Sequence, residues 1–206
     1  MEWCIPLQKL EVGKIQIGEI IHNDKSLVPL AYFDGNNIFN NLNIFLPKLK
    51  IQEFDENSGK LVISMNENTQ AQTKLFALQN ILLSAVFISQ QKWFHDTYTF
   101  DVLNNNFKPI VQNGNLQLYY PVNLNTDIHI YKNNKWYTHY EPGLIKANDS
   151  VRIMFRIQGI SFHKNSFSRF SHAEQEMHER RSSMKMNFSW SGKFRLQHRI
   201  YAILVE

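Results

Sequence analysis

Four arginines at matched spacing are the residues of this chain best suited to chemistry: Arg152 with Arg156, and Arg195 with Arg199. Each pair reads Arg-x-x-x-Arg inside a run that alternates apolar and polar side chains. In residues 151–159, Val151, Ile153, Phe155 and Ile157 share one side of a period-two strand. Arg152, Met154, Arg156 and Gln158 take the other. In residues 193–201, Phe194, Leu196, His198 and Ile200 share one side, leaving Lys193, Arg195, Gln197, Arg199 and Tyr201 opposite. Paired together, the two runs would merge their polar sides into one basic ladder. Its chemistry is electrostatic, because a guanidinium grips phosphate oxygens in a planar fork and stacks on bases. Trp136, Tyr137, Tyr140, Phe188, Trp190 and Tyr201 supply stacking surfaces. Such a face suits single-stranded nucleic acid. A solvated sheet face or a protein interface presents the same pattern.

Covalent and metal chemistry find less support. Glu174 and His178 lie four apart, so a helix would place them together near His172, yet no further fixed ligand completes a metal site. His163 and His198 come close if the last two strands pair, but His198 belongs to the apolar side and reads as a hydrogen-bonded core histidine. Gly192-Lys193 lacks the glycine five positions earlier that a P-loop requires; Asn187 stands there. There is no Gly-x-Ser-x-Gly elbow, and Cys4 has no evident histidine partner. The acids Asp55-Glu56 and Asp96…Asp101 sit in turn-like stretches without a matching basic cluster. The sequence points to no enzyme, no cofactor and no metal.

Charge agrees with an anionic partner. The 206 residues carry a formal net charge of +4. Residues 1–162 hold 14 Lys/Arg against 14 Asp/Glu, whereas residues 163–206 hold 8 against 4, so the whole excess lies in the last stretch. One cysteine excludes an internal disulfide framework. The N-terminal residues lack the pattern of a secretory signal, and the longest apolar run, residues 81–88, is short for a membrane span. The expectation is an intracellular protein, not secreted and without a membrane partner, with nucleus and cytoplasmic replication site left open.

The elements that must position the arginines read mostly as strands. Asparagine does the turn work at Asn36-Asn37, Asn104–Asn106, Asn113-Gly114 and Asn133-Asn134. The clearest hairpin runs from Asp127–Tyr131 through residues 132–135 to Trp136–Tyr140. Residues 73–89 break the pattern: Leu75, Leu78, Leu82 and Val86, with Ala77, Ile81, Ala85 and Ile88, follow a helical period, with Thr73 or Thr69 as N-cap. No repeat or linker divides the chain. Residues 163–189, rich in Ser, His, Arg and Met, read as a mobile basic insertion between the last two strands.

The order of these elements resembles the phage-type single-stranded DNA-binding proteins of large DNA viruses and of virophage- and Polinton-like elements. The resemblance rests on Leu46-Pro47-Lys48-Leu49-Lys50, Leu61–Met65, the helix at 73–89, Tyr119-Tyr120-Pro121 and Trp136. Its most specific part is the terminal pair Ile157–Phe162 and Ser191–His198, and it covers roughly residues 40–206. It implies an OB-fold barrel that coats single-stranded DNA during replication. The family's acidic tail has no counterpart at Ile203–Glu206, which touches partner recruitment more than DNA binding.

The combined expectation is one domain over residues 1–206: an OB-fold-like β-barrel with one packed helix, or alternatively a β-sandwich or jelly roll. Arg152, Arg156, Lys193, Arg195 and Arg199 contact phosphates, joined by Arg169, Arg180, Arg181 and Lys185 of the insertion. Trp136, Tyr137, Trp190 and Tyr201 stack on bases. The partner is single-stranded DNA, with RNA, replication proteins and self-association open. The competing class is a structural virion or assembly protein whose basic arm binds genome or an acidic neighbour.

Overall fold

The computed structural model describes residues 3–22, 26–94, 97–120, 128–164 and 190–206. Residues 165–189, which hold most of the expected insertion with Arg169, Arg180, Arg181 and Lys185, lie outside the described residues. The chain opens with short strands β1 (Ile5–Pro6), β2 (Ile15–Ile17) and β3 (Ile21–His22), then β4 (Ser26–Asp34), β5 (Asn37–Phe39) and β6 (Leu42–Phe45). A hairpin of β7 (Leu49–Asp55) and β8 (Lys60–Ser64) leads into helices α1 (Thr69–Phe94) and α2 (Phe100–Asn106). After them come β9 (Phe107–Lys108), β10 (Val111–Gln112), β11 (Asn115–Tyr119), β12 (His129–Lys132) and β13 (Lys135–Tyr137). The long β14 (Ser150–Lys164) and β15 (Trp190–Val205) close the order.

The protein is mostly β. The two arginine-bearing runs pair antiparallel from Val151↔Val205 to Lys164↔Trp190. The strands therefore reach past the boundary expected at residue 163. Along its other edge β14 pairs successively with β7, β6 and β4. β15 in turn holds β9 and β12 in parallel. From β14, β7 continues to β8, β11 and β10, all antiparallel.

The expected barrel with one helix is corrected in two ways. Among the described residues the ladder runs open from β10 to β13, and two α-helices are present. β11 and β15 approach at Tyr119 and His198 without ladder pairing, between the stretches of β15 that pair with β9 and with β12.

Val151, Ile153, Phe155 and Ile157 are buried, as are Phe194, Leu196, Ile200 and Ile203. The change in spacing after Ile200 marks a bulge at Tyr201, which restores the inward direction for Ile203 and Val205. Gly159 sits at a second irregularity, where β4 crosses. A Cβ there would lie 2.2 Å from the Val28 carbonyl oxygen, so only glycine lets the two backbones pair.

Helix α1 is longer than its apolar period suggested. Asn68 caps it, its Oδ1 accepting from the Ala71 N–H at 2.9 Å, in place of Thr69 or Thr73. Its end stays helical because Trp93 and Phe94 pack on Phe162, and Phe94 on Trp190, with ring centroids 4.5–6.0 Å apart. Leu75, Leu78, Leu82 and Val86 are buried as the period requires, whereas Ile88 is 78% exposed. By length and composition α1 is long and apolar enough to cross a membrane, unlike the shorter run read from sequence. Here about ten of its residues are buried in the protein.

The hairpin turns follow the asparagines: Asn133 and Asn134 both take positive φ, as do Asn113 and Gly114. Asn104–Asn106 instead end α2, whose cap Thr99 accepts from the Val102 N–H.

Gly159→Ala is expected to push β4 off β14 and to cost about 1–3 kcal/mol, the usual range for overpacking. Urea unfolding followed by circular dichroism checks this; an unchanged midpoint would remove the close approach as the reason for glycine.

Candidate nucleic-acid interface

Residues directly opposite in a ladder share a face, so the registers assemble the outer surface row by row. Trp136, Tyr131, Leu204 and Arg152 form one row across four strands. His129, Ala202, Met154 and Phe45 form the next. Arg199, Arg156 and Asn43 follow, and Lys108 and Arg195 complete the far end, where Ser161 opposite Arg195 is buried. Leu204 and Arg195 lie nine residues apart on β15, so the strip runs on the order of 30 Å. Lys193 precedes Arg195 on the same side and is exposed.

The centre of the strip is held in place from below. Asn43 is buried; its amide nitrogen donates to the Trp3 carbonyl at 2.8 Å, which fixes the amide's orientation. Its Oδ1 therefore accepts from Arg156 Nε at 3.0 Å. The Arg156 guanidinium then lies 4.7 Å from the Tyr201 ring centroid, with that of Arg199 at 5.9 Å. The bulge at Tyr201 places the ring beside both cations. Both guanidinium planes thereby pack a face against an aromatic ring.

Arg152 sits differently. Its Nε donates to Glu206 Oε1 at 2.9 Å, and Lys48 approaches the other oxygen at 2.8 Å. Lys48 first and Arg152 second hold the Glu206 carboxyl below the usual carboxylate range.

Two stacking residues of the sequence reading are corrected. Trp190 is 1% exposed and packs among Phe94, Tyr98, Phe162 and Phe194. Its position on β15 puts it on the same side as Phe194, so no base reaches it. Tyr137 opposes buried Ile130, packs against the core and lies under the Lys135 ammonium at 4.7 Å. Trp136, one residue earlier, points to the outer face and is 56% exposed.

The structure adds residues that sequence reading missed. Where β11 nears β15, a cavity of about 140 Å³ opens between Lys108, Pro109, Tyr119, Arg195, Gln197 and His198. Lys108 Nζ stands 5.2 Å from the Tyr119 ring centroid. Buried Gln79 of α1 secures one rim, its Oε1 accepting from the Ile110 and Val111 N–H groups, each at 2.8 Å. The only sequence signal was the outward position of Gln117 and Tyr119 in an alternating run. Lys108 stands in a strand too short to show a period.

His198 spans the gap: its Nε2 accepts from the Tyr119 N–H at 3.0 Å. It makes the hydrogen bond that its apolar-side position suggested, but it is half-buried at the seam rather than in the core. Burial pushes its pKa down to about 4, opposed by the Leu196 backbone and assisted by the charges of Arg195 and Lys108. The ring is neutral at pH 7, with Nε2 free of a proton to accept that bond. Burial likewise pushes the Cys4 thiol up to about 11, which keeps it protonated at neutral pH. No group of three or more His, Cys, Asp or Glu residues suited to a metal occurs among the described residues.

Comparison of the chain with protein-family models, with curated proteins and with solved structures finds no match.

An unfolded histidine titrates near 6.5, so between about pH 6.5 and pH 4 the unfolded chain takes a proton that folded His198 refuses. Stability is expected to fall as pH drops through that window, by about 3 kcal/mol in all at 1.4 kcal/mol per pH unit. His198→Gln should flatten that part of the profile; parallel profiles for wild type and variant would disprove the assignment.

Proposed function

We propose that this protein binds single-stranded DNA along the outer face of β14 and β15, without catalysis and largely without regard to sequence, and coats it during replication or recombination. The observation that carries this reading is the strip itself. Arg152, Arg156, Arg195, Arg199, Lys193 and Lys108 share one face with Tyr201, Tyr131 and exposed Trp136. Spaced cations follow a backbone, and exposed rings accept splayed bases of any identity. A duplex offers its phosphates but keeps its bases stacked inside, so the rings favour a single strand.

The resemblance to single-stranded DNA-binding proteins of large DNA viruses and virophage- or Polinton-like elements supports the same reading. With it goes a finer fold assignment: β7, β8, β11, β15 and β14 are OB-like strands, in a barrel left open between β11 and β15. Arg169, Arg180, Arg181 and Lys185 belong to the proposal as additional phosphate contacts.

A second reading, an assembly component, rests on a different surface. Helix α1 exposes Phe87 and Ile88, with Phe100 of α2 beside Phe87 at 5.7 Å. Exposed apolar side chains so close together are common at protein interfaces.

Fluorescence anisotropy with oligo-dT and a matched duplex, each at two salt concentrations, separates these readings. Single-stranded binding should be tighter, and its log affinity should fall linearly with log salt. Replacing Arg152, Arg156, Arg195 and Arg199 together by Ala should abolish binding while circular dichroism stays unchanged. Single replacements should lower the salt slope by about 0.7 for each lost phosphate contact. Equal affinity for both oligonucleotides, or an unaffected quadruple variant, would overturn the proposal.

A further inference from the structure

One end of the strip holds a carboxylate where the single-strand reading needs a phosphate. Glu206 follows β15, and its N–H donates to the Ser150 carbonyl at 2.9 Å, so the ladder carries one residue beyond Val205. Alternation turns Val205 inward and Glu206 outward, onto the face that bears Arg152. Across β14, Leu49 is buried opposite Val151, which leaves Lys48 and Lys50 exposed on that same face. Two neighbouring chain segments thus bring cations to an acid on a third.

The acid bridges two of these cations. Glu206 Oε1 accepts from Arg152 Nε at 2.9 Å, and Oε2 meets Lys48 Nζ at 2.8 Å. Both are lengths of charge-assisted hydrogen bonds, which a guanidinium and an ammonium make with a phosphate as readily as with a carboxylate. The three side chains stay open to solvent, Lys48 at 52%, Arg152 at 40% and Glu206 at 37%. An incoming anion can therefore reach both cations. The Glu206 side chain can turn out to water while its backbone bond to Ser150 stays in place. Exposed ion pairs of this kind are weak, so the exchange costs little. The same row carries Tyr131 and exposed Trp136, the first of them two strands, or about 10 Å, from Arg152.

We infer that Lys48 and Arg152 form one phosphate subsite for the bound strand, and that Glu206 occupies it in the free protein and is displaced on binding. The inference rests on the single-strand reading above. It adds Lys48 as a contact and a built-in competitor that limits affinity.

The test measures oligo-dT affinity of the full chain by fluorescence anisotropy at one fixed salt concentration. It compares wild type, Glu206→Gln, Lys48→Ala and the double variant. Glu206→Gln should bind about three- to fivefold more tightly, the size of one exposed ion pair that no longer has to be given up. Removing a negative charge near any such site tightens binding to some degree, so the deciding readout is the coupling between the two positions. Lys48→Ala should weaken wild type by less than twofold, because losing the phosphate contact is offset by losing the competing pair. In the Glu206→Gln background it should weaken binding about three- to fivefold, because no carboxylate competes there. Glu19→Gln removes the same charge from a pair with Lys92 of α1 and should leave affinity unchanged. Circular dichroism and thermal unfolding confirm the fold of each variant.

Unchanged affinity in Glu206→Gln overturns the inference, as does an equal gain from Glu19→Gln. Equal weakening by Lys48→Ala in both backgrounds also overturns it, because Glu206 would then act only as a distant charge. Each of these results leaves single-strand binding standing. A wild-type protein that binds no single strand removes the underlying reading and the subsite with it.

Discussion

The antiparallel ladder between β14 and β15 is the contact from which the rest of the sheet is hung. One edge of β14 serves β7, β6 and β4 in turn, and the far edge of β15 serves β9 and β12. Strands as short as β9 and β12 bring too few backbone bonds to persist alone, so their position is borrowed from the long pair. The irregularities in the ladder matter as much as its length. The bulge at Tyr201 lets the inward set continue from Ile200 to Ile203 while aiming an extra aromatic ring outward. Gly159 lets β4 close on β14 where any side chain would intrude.

The same ladder orders the charges. Asn43 is buried between the Trp3 carbonyl and Arg156, so a strand on one side of β14 orients a guanidinium used on the other. At the end of the strip Glu206 draws Lys48 and Arg152 together. These surface ion pairs contribute little to stability. Their effect is positional: the Glu206 carboxylate draws the Arg152 guanidinium toward Lys48, in the row that also carries Leu204, Tyr131 and Trp136.

Much of this arrangement was legible in the sequence. Two runs with clean alternation and arginines on the polar side were enough to anticipate the β14–β15 pair and the faces of Arg152, Arg156, Arg195 and Arg199. The Asn133-Asn134 turn was equally plain, because both residues must take positive φ. Parity, applied further, would also have excluded Trp190 and Tyr137 from the outer face. Trp190 keeps step with Phe194 and Leu196, and Tyr137 is the immediate neighbour of outward Trp136. What sequence does not carry is the open seam. It is flanked by β9, two residues long, which pairs in parallel with a strand far along the chain. It also depends on a side-chain bond between Tyr119 and His198, which has no local pattern. The length of α1 escaped for a related reason. Its final turn is secured by aromatic contacts with β14 and β15, not by its own apolar period.

The direct opposition of Arg156 and Arg199 has a thermodynamic consequence. Like charges facing each other across a ladder repel, and the Tyr201 ring offsets this only in part. The strand pairing thus sets two like charges side by side at the middle of the sheet. Under the proposed function, an anion between the two cations would turn that repulsion into attraction and so couple folding to ligand binding through the same pair of side chains. Under the same proposed function, occupancy of this face would stabilise the fold by mass action, with relief of that repulsion counted within the affinity of the anion.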